Sequence, residues 1–179
     1  MSRRPVVISL LVLGAIVLSI VLVKVLDEVG DPEPHAGAIP LTAILPQAVP
    51  AQAPFEGLSE VKAAIGYDRC LRLVVADSED ERVAGLRDHT RDLGPYDGML
   101  FVFQGPTDTR FTMSGVDDPL DIAFFDQNGA RNSTRAMKPC PDKAETECPV
   151  YAAGAQYEFA VETKKGELPS GPITACSPS

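Results

Sequence analysis

The 179-residue chain has no tryptophan, only two histidines and four cysteines, and none of the cysteines forms a C-x-x-C pair. That scarcity excludes several chemistries. A zinc centre needs close-spaced Cys or His ligands, and the two histidines, His35 and His89, stand far apart in the chain. A dithiol oxidoreductase needs a reactive pair of thiols, and no such motif is present. Positive charge is also short: 16 Lys and Arg face 25 Asp and Glu, leaving a net charge of −9. No local basic patch offsets this, so nucleic acid is a poor partner for the chain. No cofactor and no metal is expected.

What the chain does have begins with one long apolar run. Arg3 and Arg4 precede Pro5–Val23, which contains no charge, and continuing to Leu26 adds only Lys24. A bilayer core of about 30 Å needs roughly 20 apolar residues in a helix, so residues 5–26 are long enough to span it. The competing reading is a cleaved signal peptide, with small-residue sites at Ala36-Gly37-Ala38 or Ala51-Gln52-Ala53. The run is longer than a signal-peptide core and those sites lie well downstream, so an uncleaved signal anchor is expected. Arginines on one side and Asp27, Glu28 and Asp31 on the other place residues 1–4 in the cytoplasm and everything after Leu26 outside. The expected location is the plasma (inner) membrane, single-pass, with the lipid bilayer as partner through residues 5–26. Because residues 1–26 hold three of the cations and no acid, the exported part carries −12.

Six prolines between Asp27 and Glu56 predict an extended spacer over residues 27–56. Residues 57–179 then suit one domain with a single core. Period-2 alternation predicts strands at Leu71–Ala76, Gly98–Phe103, Thr109–Met113, Leu120–Phe125 and Tyr157–Glu162, with Tyr157, Phe159 and Val161 on one face. Asp126-Gln127-Asn128-Gly129 predicts a tight turn leading into Ala130–Met137, because Asn and Gly both tolerate positive φ. Ser78 followed by Glu81 has the spacing of a capping box, and Val83, Ala84 and Leu86 would form that helix's apolar face. A second short helical turn is expected over Glu60–Ile65. The predicted fold class is mainly β, a compact barrel-like or sandwich domain with one or two short helices, preceded by the transmembrane helix. In an oxidising compartment an even number of cysteines predicts two disulfides. Cys140 and Cys148 bracket a short polar loop and would pair, leaving Cys70 with Cys176 to tie the domain's ends.

Several blocks occur in order: Glu81-Arg82 and Gly85-Leu86; Asp97-Gly98-Met99-Leu100-Phe101 with Phe103; Phe111 and Met113; Pro119-Leu120-Asp121-Ile122; Pro139-Cys140; and Cys148-Pro149-Val150-Tyr151. Together they resemble the DUF192 family of small extracytoplasmic domains, whose biochemical role is unassigned. The resemblance covers about Leu71 to Leu168 and implies a small, mainly β domain. The chain departs from the family pattern at polar and aromatic positions. Thr112 stands where the family has Trp, Ser114-Gly115 where it has Lys-Asn, Arg87 where it has Met, and His89 where it has Arg. If those family residues line a ligand site, Arg87, His89, Thr112 and Ser114 mark its place here, with the chemistry changed.

The residues most able to perform chemistry are Asp117, Asp118 and Asp121, with Asp97 as a fourth acid. Paired carboxylates serve glycoside hydrolysis at separations of about 5–5.5 Å or 6.5–9.5 Å. The same oxygens could serve calcium, but their spacing matches no loop signature. Ser114 lacks the context of a nucleophile elbow. Arg87 and His89 near a helix end have an ordinary electrostatic explanation. The favoured expectation is a noncatalytic module binding an envelope protein or glycan. The alternatives are an envelope hydrolase using Asp117, Asp118 or Asp121, and a structural partner of a membrane complex acting through residues 5–26.

Overall fold

A computed structural model describes residues 41–43, 45–66 and 69–176. The anchor at residues 5–26, the tail 1–4 and the first part of the spacer lie outside the described residues. Among the described residues no helix is long and apolar enough to cross a membrane.

Among the described residues, ten strands and one α-helix make the domain. They are β1 (Val49–Pro50), β2 (Ser59–Ile65), β3 (Cys70–Ala76), α1 (Glu79–Ala84), β4 (Gly98–Thr107), β5 (Phe111–Thr112), β6 (Leu120–Phe125), β7 (Arg131–Met137), β8 (Val150–Tyr151), β9 (Tyr157–Lys164) and β10 (Ile173–Ala175). Eight of the strands form one sheet in the order β1-β2-β3-β4-β9-β6-β7, with β10 beside β1 on the outer edge of β2. Its ladders are antiparallel except for β3 against β4. Parallel neighbours need a crossover, and residues 77–97 supply it with α1 inside. β5 and β8 form a separate two-stranded ribbon.

Side-chain alternation gives the sheet a core on each face. Leu71, Leu73 and Val75 of β3 join Leu100, Ala123 and Val161 on one face, covered by Leu41, Ile173 and Ala175. Val74, Ala76, Met99, Phe101, Ile122 and Phe124 occupy the other, covered by Leu86, Leu93 and Tyr96 of the crossover and by Met113, Val116 and Cys140. The domain is mainly β, but the sheet does not close into a barrel. Its far edges approach where the Ile173 amide donates to the Gly129 carbonyl at 2.8 Å and Arg131 bonds the carbonyls of Pro169 and Gly171.

Several details differ from the sequence expectations. Glu60–Ile65 is part of β2 rather than a helical turn, because it pairs with β3 on one side and β1 and β10 on the other. Within the expected spacer, Leu41 and Phe55 are buried and β1 pairs with β2, so these parts of it pack onto the domain. The helix ends at Ala84 with Gly85 as its cap; Val83 is exposed and the buried Leu86 lies beyond the helix. The turn after β6 forms as expected, with positive φ at Gly129 and the Asp126 carboxylate accepting from the amides of Asn128 and Ala130. Tyr157 packs on the face opposite Phe159 and Val161, because the β4–β9 register shifts between Val102 and Thr107.

Both disulfides pair as their placement in the chain predicts. Cys70 bonds Cys176 across 106 residues of sequence, and Cys140 bonds Cys148. The second bridge holds the ribbon in place. Ser114 bridges Cys140, the Gly115 amide donates to the Cys140 carbonyl, and β8 follows two residues after Cys148.

Candidate functional site

Between α1, the ribbon and the central strands lies a cavity of about 450 Å³. Ligand pockets commonly fall between roughly 300 and 1,000 Å³. Its apolar wall is Phe101, Phe103, Phe111, Met113 and Leu120, and its rim carries Arg82, Arg87 and Arg110 with Glu79 and Glu145. Phe101 and Phe111 meet edge to face at 5.0 Å, and Phe111 packs against Phe124.

The rim cations are placed by backbone geometry. Ser78 caps α1 through a reciprocal bond pair with Glu81, which fixes the helix start and hence Arg82. The Arg82 guanidinium donates to the carbonyls of Asp77 and Val102 and lies 4.9 Å over the Phe103 ring. Arg87 lies across Gly115, where φ is +72° and a Cβ would sit 2.8 Å from the Arg87 Cδ. A Cβ at that position would force the Arg87 side chain to shift. Arg110 sits on the loop after β4, whose Thr109 carbonyl accepts a 2.7 Å bond from the buried Tyr157 hydroxyl.

Glu162 forms the deep end. β9 is central, paired with β4 through Met99 and with β6 through Ile122, so both of its faces are covered. On the cavity side this puts a carboxyl where the neighbours are apolar. Glu162 is 5 % exposed, and burial alone pushes its pKa up to about 8. It is therefore neutral at pH 7 and carries a proton to donate. Its oxygens are not sealed away from the cavity.

Glu60, the other buried glutamate, is fully engaged. Arg72 donates to both of its oxygens at 2.8 and 2.6 Å, and the Tyr96 hydroxyl donates at 2.5 Å. The Arg72 bond holds the Glu60 carboxyl below the usual carboxylate range, against the opposing effect of burial. This network ties the crossover to β2 and β3 and leaves no group for a ligand.

Of the residues singled out in the sequence, Arg87, Thr112 and Ser114 meet at the cavity. His89 does not; its ring packs 4.5 Å from that of Phe55. Asp117 is exposed and pairs with Arg91 at 2.9 Å. Asp121 accepts the Gly166 amide at 2.7 Å, a strand-end role. Asp97 accepts from the Arg72 amide and from Arg69. None of these acids lines the cavity, and neither does Asp118. No cluster of metal-ligating side chains occurs among the described residues. Sequence reasoning passed over Glu162, Arg82, Arg110 and the aromatic wall. The available signal was an acid in YEFAVET with apolar residues at both parities, the pattern of a strand buried on both faces.

The family model of DUF192, described as an uncharacterized ACR, matches residues 61–174. The chain belongs to that family. No curated protein matches it. Two crystal structures share the fold. One, a protein of unknown function from Novosphingobium aromaticivorans DSM 12444, is 24% identical with a TM-score of 0.55, over 70% of this chain and 92% of that one. The other, described as a "putative transcription regulator" from Sinorhizobium meliloti 1021, is 21% identical with a TM-score of 0.50, over 64% of this chain and 90% of that one.

Proposed function

We propose that this protein is a membrane-anchored, noncatalytic binding module. Residues 5–26 hold it in the inner membrane, and its exported β domain takes a small envelope component in the cavity beneath α1. The observation that carries the reading is the buried carboxyl of Glu162, without a hydrogen-bond partner among the described residues, at the deep end of an open, aromatic-walled cavity. A hydrolase built on Asp117, Asp118 or Asp121 draws no support from their placement, since one is ion-paired at the surface and another holds a backbone amide. The regulator description of the Sinorhizobium protein has no counterpart here, because −12 beyond Leu26 opposes a nucleic-acid partner.

The test is a thermal-shift screen of the full chain, disulfides intact, against small metabolites and cell-wall fragments. A ligand at 100 times its Kd adds about 2.7 kcal/mol, a shift of several degrees. The shift should vanish in Thr112→Trp, which fills the cavity from its wall. A flat screen, or a hit unaffected by Thr112→Trp, overturns the cavity as the site. For the anchor, deleting residues 5–26 should release the protein from the membrane fraction; retention refutes that assignment.

A further inference from the structure

We propose that the cavity is built for a small monocarboxylate with an apolar body and a neutral hydrogen-bonding group at its far end. This rests on the binding reading above and adds the ligand's chemical class.

Charge is the first argument. In an exported chain portion of net charge −12, three arginines converge on one rim. Among the described residues, none of the three lies within ion-pair distance of a carboxylate; the ion pairs involve Arg69, Arg72 and Arg91 instead. Arg82 spends its donors on backbone carbonyls, which leaves its charge uncompensated. The rim's acids, Glu79 and Glu145, offset two of the three cations, so the mouth keeps an excess of one positive charge. A single negative charge balances it. A carboxylate also matches the planar fork of a guanidinium, which a spherical anion does not.

The second argument is the order of groups from mouth to floor. Arg87 and Arg110 are exposed, Phe111 and Thr112 half-buried, Phe101, Met113 and Glu162 buried. A ligand entering with its carboxylate toward the arginines lays its body on Phe101, Phe111 and Met113. Its far end then meets the Glu162 carboxyl. That acid is held neutral by burial. It offers a hydrogen bond that no group among the described residues takes up. A purely hydrocarbon tail would leave this donor unsatisfied, which disfavours simple fatty acids.

The experiment uses the full chain labelled with 13C in its methionine methyls. There are four methionines, and Met113 lines the cavity while Met137 does not. The probes are 4-hydroxybenzoate, benzoate, 4-hydroxybenzamide and 4-hydroxybenzylamine at millimolar concentration. The Met113 signal should move with 4-hydroxybenzoate while Met137 stays, with affinity about tenfold or more above the amide and the amine. Benzoate should bind several-fold more weakly. Arg87→Gln with Arg110→Gln should bring 4-hydroxybenzoate down to the level of the amide, with an unmoved Met137 signal reporting an intact core. If the amide or amine binds as tightly as 4-hydroxybenzoate, the carboxylate assignment is overturned and the cavity remains a binding site. If no probe moves Met113, this proposal falls, while the binding reading stands or falls by the thermal-shift screen above.

Discussion

Replacing Glu162 with glutamine keeps the shape of the side chain and removes its titration. In an unfolded chain the carboxyl ionises near 4.5, whereas burial moves it to about 8 in the folded domain. Between those values the folded state holds a proton that the unfolded state has released. Stability therefore falls as pH rises through this window, by about 1.4 kcal/mol per pH unit. The loss reaches roughly 3 kcal/mol at pH 7 and roughly 5 kcal/mol once the group ionises in both states. Glu162→Gln should remove that slope. Its stability relative to the parent, taken from urea unfolding with both disulfides intact, should start level near pH 4. It should then climb through neutral pH and flatten above about pH 8. Subtracting parent from variant at each pH cancels the other titrating groups. A difference that stays constant from pH 4 to about pH 8 would show that Glu162 is solvated or paired, and the ligand argument would lose its floor.

Other perturbations separate scaffold from site. Arg72→Met strands the Glu60 carboxylate and should cost about 2–4 kcal/mol in denaturant unfolding. Glu60→Gln should instead flatten the acid limb. The depressed Glu60 pKa adds stability above its ordinary 4.5 that is lost as pH falls through the lower folded value, so acid titration of the fold separates the two variants. Serine at both Cys70 and Cys176 opens a link spanning 106 residues and should cost about 4–5 kcal/mol by chain entropy. Opening Cys140–Cys148, which spans only 8, should cost about 2.5 kcal/mol yet weaken ligand binding more, because it frees the ribbon wall. Gly129→Ala places a Cβ 2.1 Å from the Ile173 carbonyl at a φ of +79° and should lower the melting temperature sharply; Gly105→Ala, with open space around it, should not.

Much of the fold could be read from residues whose signals are local. β6 and β3, the capping box at Ser78 and both disulfides follow from alternation, cap chemistry and loop placement. β2 carries little strand signal, because SEVKAAI has small alanines rather than β-branched runs, and it is a strand through pairing on both edges. The packing of Leu41 and Phe55 was hidden by the prolines around them, which predict extension but not where an extended segment docks. Half the candidate site was legible. Arg87, Thr112 and Ser114 stood out as departures from the family pattern, and they do meet at one cavity. Asp117, Asp118 and Asp121 form a carboxylate group suited to acid/base chemistry, but proximity in sequence says nothing about facing a cavity.

The contrast between the two buried glutamates carries the most weight. Glu60 and Glu162 belong to one sheet, and both are nearly excluded from water at 8 % and 5 % exposure. Around Glu60 the fold brings Arg72 from the neighbouring strand and Tyr96 from the crossover, and the carboxylate is satisfied as an anion. Around Glu162 it brings Met99 and Ile122 as strand partners and an open cavity in front. Leucine at that position would remove a penalty of several kcal/mol at neutral pH from a domain whose net stability is typically about 5–15 kcal/mol. A scaffold able to pair one buried acid so completely has the means to pair or omit the other. Residues that break the local rule in this way cluster where proteins bind and react. A ligand group accepting the Glu162 proton supplies the partner the protein withholds, and the arginines at the mouth set which end of that ligand faces out.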